Sequence, residues 1–139
     1  MFRIERLSTL VRTFTTYVRP ILEYASCVWS PSYAAQISQI EAVQRRFNAR
    51  LPGCAQLDYN NRLAILNLQS LELRRLHSDL MLAYKILFGY VDVDASAFLY
   101  LRVTTNTRGH AYKLVGHQCR VNIRQHFFAE RIMSTHGTH

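Results

Sequence analysis

Apolar side chains recur at intervals of three and four residues through the first 90 positions, which is the period of an amphipathic helix. The residues between these stretches are typical helix ends, because proline suits a first turn and glycine commonly follows a last one. Asp58 and Ser70 are predicted N-caps, and Gly89 is the predicted end of the longest helix. The pattern predicts five helices: residues 5–18, 20–30 and 34–50, a short helix after Asp58, and a long one between Ser70 and Gly89.

The last turns of the long helix, residues 81–88, are apolar on nearly all sides. A helix of this kind has to be covered by other elements on several faces. We therefore expect these turns to lie at the centre of the bundle.

The pattern weakens after residue 92. A loose alternation over residues 112–115 favours a short strand, and apolar residues at 123, 127, 128 and 132 favour a further helix. The expected fold is mainly α. It has a helical bundle of about five helices over residues 1–91 and a basic, partly irregular and truncated extension over residues 92–139.

The charge is strongly positive, with 17 Lys and Arg against 9 Asp and Glu, and all but two of these cations are arginine. Residues 1–55 hold seven cations and three acids, residues 56–100 four and five, and residues 101–139 six and one. Arginine makes planar, bidentate contacts with phosphate and stacks on bases. The charge therefore predicts a nucleic-acid partner first and an acidic protein second. The candidate contact residues are the clustered arginines Arg45, Arg46, Arg50, Arg74, Arg75, Arg108, Arg120 and Arg124.

Motifs for catalysis are missing from the sequence. It contains no glycine-rich phosphate loop, no dinucleotide fingerprint and no G-x-S-x-G elbow. The close acidic pair Asp92 and Asp94 follows a helix-ending glycine, which favours a solvated loop over a metal site. The residues His110, His117, Cys119 and His126 match no compact zinc spacing. We expect no catalytic residue, metal, cofactor or small-molecule substrate.

Localisation follows from two further patterns. The three cysteines are odd in number and far apart, which argues against a disulfide framework and favours a reducing compartment. The N-terminus lacks a signal-peptide core, and no apolar stretch approaches the roughly 20 residues of a membrane span. The expectation is a soluble intracellular protein of the cytoplasm or nucleus with no membrane partner.

Several motifs occur in a recognisable order. They are YVRPILEYASCVWSP at residues 17–31, IEAVQRR at 40–46, LPG at 51–53, YNNRLAILNLQSLELRRLHSDLMLAYKILFG at 59–89, TRGH at 107–110 and CRVNIRQHFFAERI at 119–132. Over about residues 7–132 the chain resembles the region after the palm in reverse transcriptases of non-LTR (LINE-type) retrotransposons. The resemblance implies a thumb-like helical domain, and the connection beyond it, lying along a template–primer duplex.

The chain departs from that family at both ends. The family's catalytic carboxylates, with their Ala-Asp-Asp motif, have no counterpart here, and residues 133–139 replace a segment resembling W-N-x-L-P. The leading hypothesis is a non-catalytic fragment of such an RNA-directed DNA polymerase, whose partners are RNA or an RNA–DNA duplex and the remainder of the polymerase. The alternatives are a decayed relic without nucleic-acid binding and a helical protein-interaction module. In the module, Phe14, Tyr17 and Trp29 would be interface anchors and the arginines solubilising.

Overall fold

The structure is a computed structural model that describes residues 2–31, 33–99, 128, 131 and 132. The fold is mainly α, as predicted, and the described residues contain no β-strand. The helices are α1 (Phe2–Thr13), α2 (Arg19–Glu23), α3 (Ser26–Trp29), α4 (Ala34–Ala49), α5 (Tyr59–Ile65), α6 (Leu71–Leu87) and α7 (Ala95–Phe98), with a π-helical segment (Phe14–Val18) between α1 and α2.

The first two predicted helices are joined. The π-helical segment connects α1 to α2 without a break, and the backbone N–H of Arg19 donates to the carbonyl of Phe14, five residues earlier. Pro20 has no N–H to donate, and its ring crowds the carbonyl four residues before it. The wider π turn accommodates Pro20 in the first turn of α2, so the proline does not end the helix.

The helix predicted over residues 20–30 is wrong in its middle. It is interrupted at Tyr24 and Ala25, and Ala25 adopts the left-handed conformation with φ +50°. The chain then forms the single turn of α3, and the indole N–H of Trp29 donates back to the carbonyl of Tyr24. The apolar spacing continues through this break, so periodicity alone does not reveal it.

The predicted caps are confirmed. The carboxylate of Asp58 accepts from the N–H of Asn61 at 3.4 Å, and the hydroxyl of Ser70 accepts from the N–H of Leu73 at 3.2 Å. Gly89 follows α6 with φ +72°, a conformation that glycine adopts without the steric cost of a Cβ atom. Local side-chain chemistry therefore fixes where α5 and α6 begin and where α6 ends.

The chain divides into two compact units, residues 1–75 and 76–139. The core of the first unit holds Leu51, Cys54, Leu63, Leu66 and Leu68, with Leu7, Val11, Phe47 and Tyr59 packed against it. The Phe14 ring stacks on Phe47 with the centroids 4.2 Å apart. α1, α4 and α5 thus enclose one core together with the turns after α4 and α5.

The second unit begins within α6. Within this unit, an ion pair joins α6 to Arg131. The Nε and Nη2 atoms of Arg131 donate to both carboxylate oxygens of Asp79 at 3.0 and 3.1 Å. Phe128, Arg131 and Ile132 are helical, as predicted for that segment, and the two apolar side chains are buried. The predicted strand at 112–115 and positions 123 and 127 lie outside the described residues.

The expectation that residues 81–88 are covered on several faces at the centre of the bundle is wrong. Ala83 and Ile86 are buried, but Met81, Tyr84 and Phe88 are 44–49% exposed. The Tyr84 ring lies instead against two nearby aromatic rings, those of Phe88 and Tyr90. This end of α6 buries one face and exposes another.

Candidate functional site

The helix α4 buries a row of polar side chains. Glu41, Gln44 and Asn48 stand at positions i, i+3 and i+7, on one face of the helix, and are only 7%, 0% and 0% exposed. Polar residues at helical spacing are typical of a solvated face, so the sequence pattern did not predict this buried row.

The Glu41 carboxylate caps the start of α6, although the two elements are 30 residues apart. It accepts from the N–H of Leu71, with 2.9 Å to Oε2 and 3.2 Å to Oε1, and from the N–H of Glu72 at 3.3 Å. The hydroxyl of Tyr59 donates to the same carboxylate. The first N–H groups of a helix have no partner within it and carry partial positive charge. Glu41 therefore joins α4, α5 and α6 at one point.

Gln44 and Tyr59 complete this junction. The Gln44 amide donates to the carbonyl of Gln69 at 2.9 Å and to the Tyr59 hydroxyl at 3.2 Å. Burial raises the pKa of Tyr59, and its hydrogen bond to Glu41 raises it further. The phenol is thus held protonated and fixed in position between α4 and α5.

The C-terminal half of α4 also carries basic side chains that are open to solvent. Arg45, Arg46 and Arg50 are exposed, and residues 42–57 contain no Asp or Glu. The Arg45 guanidinium lies over the Tyr59 ring, 5.0 Å from its centroid, and the buried Arg62 lies 5.9 Å from the same centroid. We call Arg45, Arg46 and Arg50 the α4 basic surface.

The other candidate arginines are placed differently. Arg74 is half-buried and binds both carboxylate oxygens of Glu23, a hydrogen bond that raises the pKa of Arg74. Arg75 is 4% exposed, so the structure does not present it to a nucleic acid. Of these two adjacent candidates on α6, Arg74 is therefore paired and Arg75 is buried. The remaining candidates, Arg108, Arg120 and Arg124, lie outside the described residues.

Some of the buried polar side chains have no hydrogen-bond partner among the described residues. Within the described part of the chain, no hydrogen-bond partner contacts the Arg75 Nη1 and Nη2 atoms, the Arg62 Nε atom or the side-chain amide of Asn48. A buried guanidinium without acceptors lowers stability. Replacing the buried Arg75 by an apolar residue therefore tests whether its guanidinium contributes to the stability of the fold.

The candidate interface anchors separate into two groups. Phe14 is 3% exposed and stacked in the core, so it is not an anchor. Tyr17 is 69% and Trp29 42% exposed.

A groove of about 400 Å³ also opens in the first unit, where Arg12 stands beside an apolar lining; the lining residues are Leu7, Ser8, Val11, Arg12, Thr15, Ile65 and Leu66.

Asp94, one of the two acids that follow α6, has a structural role. The Asp94 carboxylate caps α7, and hydrogen bonds from the Ser96 hydroxyl and N–H lower the pKa of Asp94. Among the described residues, no cluster of three or more His, Cys, Asp or Glu side chains is suited to hold a metal ion. The histidines and Cys119 of the zinc alternative lie outside those residues. Cys54 is buried and Cys27 half-buried, and neither forms a disulfide.

Comparisons with protein-family models, curated proteins and solved structures give no match to this chain. Among the described helices, none is both long enough and apolar enough to cross a membrane.

Proposed function

We propose that this chain binds the backbone of a nucleic acid through the α4 basic surface, as a non-catalytic, thumb-like part of a reverse transcriptase. The observation that carries the proposal is three exposed arginines on one helix end, in a stretch of 16 residues without an acid. Arginine on a surface of one sign of charge binds phosphate without regard to base sequence.

The geometry supports this use of Arg45 in particular. Its guanidinium rests on the Tyr59 ring, and Tyr59 is held by Glu41 and Gln44. Part of the ordering of this side chain is therefore complete before a phosphate arrives, which reduces the entropy lost on binding. Arg46 and Arg50 supply further cations from the same end of the helix.

The motif order described above supports RNA or an RNA–DNA duplex as the ligand, since the resembling region of LINE-type polymerases lies along the template–primer. We propose no chemical step for this chain. The carboxylates that perform polymerisation in that family have no counterpart in its sequence.

The test is the affinity for an RNA–DNA duplex, measured by fluorescence anisotropy over a series of salt concentrations. Three phosphate contacts predict a slope of log affinity against log salt of roughly −3. The variant Arg45→Ala/Arg46→Ala is expected to lower the affinity and to make the slope less steep by about 2. The matched control is Arg6→Ala/Arg12→Ala, which removes two exposed arginines from α1. Equal losses in both variants would indicate general charge attraction and reject the α4 surface.

A protein-interaction module is the second candidate function. The observation that favours it is the exposure of Tyr17 and Trp29, because aromatic side chains are enriched at the centres of protein interfaces. In this case the α4 arginines keep the chain soluble, and duplex affinity stays weak even at low salt.

A further inference from the structure

A row of large apolar side chains lies exposed between the π-helical segment and α3. Tyr17, Ile21, Tyr24 and Val28 are 69%, 74%, 79% and 85% exposed, within a stretch of 12 residues that includes the break at Tyr24 and Ala25. We call these four residues, together with Trp29, the α2–α3 apolar surface. Single exposed apolar residues are ordinary on proteins, but a group of this size marks an interaction surface.

The size of this surface fits a protein partner. From their exposed fractions, the five side chains present roughly 700–800 Å², and a standard protein–protein interface buries about 800 Å² on each partner. Tyrosine and tryptophan supply much of this area, and they lose little conformational entropy when they become ordered. The surface is large enough for a specific complex by itself.

The charge of the surface distinguishes between kinds of partner. Residues 24–40 contain no Lys, Arg, His, Asp or Glu, in a chain whose net charge is +8. Three charged groups lie beside it with a net charge of +1, since the Glu23 carboxylate binds Arg74 and lies 4.0 Å from Arg19, but the five side chains of the surface carry no charge themselves. An acidic protein or an anionic membrane would gain little from these uncharged side chains and would be attracted more strongly elsewhere on the chain.

A neutral apolar surface is complementary to itself. In a twofold dimer the same patch of both copies forms the interface, so a net charge on that patch would be repelled by the same charge on the other copy. The α2–α3 apolar surface meets this condition, whereas the α4 basic surface does not. We propose that this surface binds a second copy of the chain, forming a homodimer with twofold symmetry. The proposal gives the second candidate function its partner and does not depend on nucleic-acid binding.

The test uses the full chain in analytical ultracentrifugation over roughly 1–100 µM, a range suited to interfaces of this size. The wild type is expected to approach twice its mass of 16.2 kDa as the concentration rises. Added salt is expected to strengthen the association, because it screens the repulsion between two copies of charge +8. Duplex binding has the opposite salt dependence, so the two proposals fail separately.

Variants and the single tryptophan locate the contact. Ile21→Glu and Val28→Glu are expected to reduce self-association at least tenfold. The matched control is Ile65→Glu on α5, since Ile65 is 63% exposed and lies outside the surface. Trp29 is the only tryptophan, so the wild type should show an emission shift to shorter wavelength and less acrylamide quenching on association, a readout that needs no variant.

Three results would overturn the proposal. One is a wild type that remains monomeric over the whole range, which would leave a different protein as the partner of an interaction module. Another is self-association that Ile65→Glu weakens as much as Ile21→Glu does. The third is association that leaves the emission and quenching of Trp29 unchanged.

Discussion

Replacing Glu41 by Gln tests whether one buried carboxylate holds the junction of α4, α5 and α6. In the native chain this carboxylate accepts from the N–H groups of Leu71 and Glu72 and from the Tyr59 hydroxyl. Glutamine fills the same space but offers only one acceptor oxygen, and its NH₂ group faces donors. Either the Tyr59 hydroxyl or a donor at the start of α6 then loses its acceptor in a partly or fully buried position.

The magnitude follows from these contacts. A lost capping interaction costs about 1 kcal/mol and an unsatisfied buried donor about 1–3 kcal/mol, so we expect Glu41→Gln to cost about 2 kcal/mol of unfolding free energy. Glu41→Ala removes every acceptor and is expected to cost about 3–4 kcal/mol. For a urea slope of about 2 kcal/mol per molar, the first variant lowers the midpoint by about 1 M.

The assay is urea unfolding followed by far-UV circular dichroism and by Trp29 fluorescence, since Trp29 lies in the first unit. The matched control is Glu72→Gln, which removes an exposed carboxylate from the first turn of α6 and should cost about 0.3–0.5 kcal/mol. A double-mutant cycle with Tyr59→Phe should show coupling above about 0.5 kcal/mol, because the two side chains are in contact. If Glu41→Gln costs no more than Glu72→Gln, the carboxylate does not hold this junction.

Three further predictions concern titration and buried charge. Free tyrosine ionises at pKa 10.0, whereas folding raises the pKa of Tyr59, so its contribution to stability is present below pH 10 and declines as the pH rises further. Unfolding measured from pH 8 to 11 should therefore show an alkaline loss that Tyr59→Phe reduces and that the exposed control Tyr17→Phe leaves unchanged; equal curves for both variants would contradict this. Asp79→Ala leaves Arg131 without this carboxylate and should cost about 3 kcal/mol in urea unfolding, with part recovered when Arg131→Met is added. A cost below about 0.5 kcal/mol would show that the pair is not a stabilising contact. Arg75→Met removes a buried guanidinium whose Nη atoms have no partner among the described residues, so its midpoint should equal or exceed that of the wild type. An unfolding free energy lowered by more than about 1 kcal/mol would show that Arg75 contributes to the fold through contacts beyond those described.

The sequence was most informative where structure depends on neighbouring residues. The spacing of apolar side chains predicted α4, α5 and α6, and Asp58, Ser70 and Gly89 marked their ends correctly. Each of these features arises within about one helical turn, so the residues that decide it are adjacent in the chain.

The spacing of apolar residues gave a wrong prediction where a continuous helix and an interrupted one fit the same pattern. The run from Tyr17 to Trp29 has an unbroken helical period, yet the chain changes to a π turn before Pro20 and reverses its backbone conformation at Ala25. After the left-handed turn at Ala25, the Trp29 indole N–H donates to the Tyr24 carbonyl, a contact that apolar periodicity does not predict. The resulting exposure of Val28 was equally invisible in the pattern.

By itself, the sequence determined that the chain is mainly helical, where α4, α5 and α6 lie, and that it carries an arginine-rich positive charge. The tertiary structure alone decided which polar residues are inside. Glu41 and Gln44 are buried because their partners, the start of α6 and the carbonyl of Gln69, arrive from 25 to 31 residues away. Burial of a polar group depends on whether a distant segment supplies its hydrogen bond, and a local pattern holds no information about that segment.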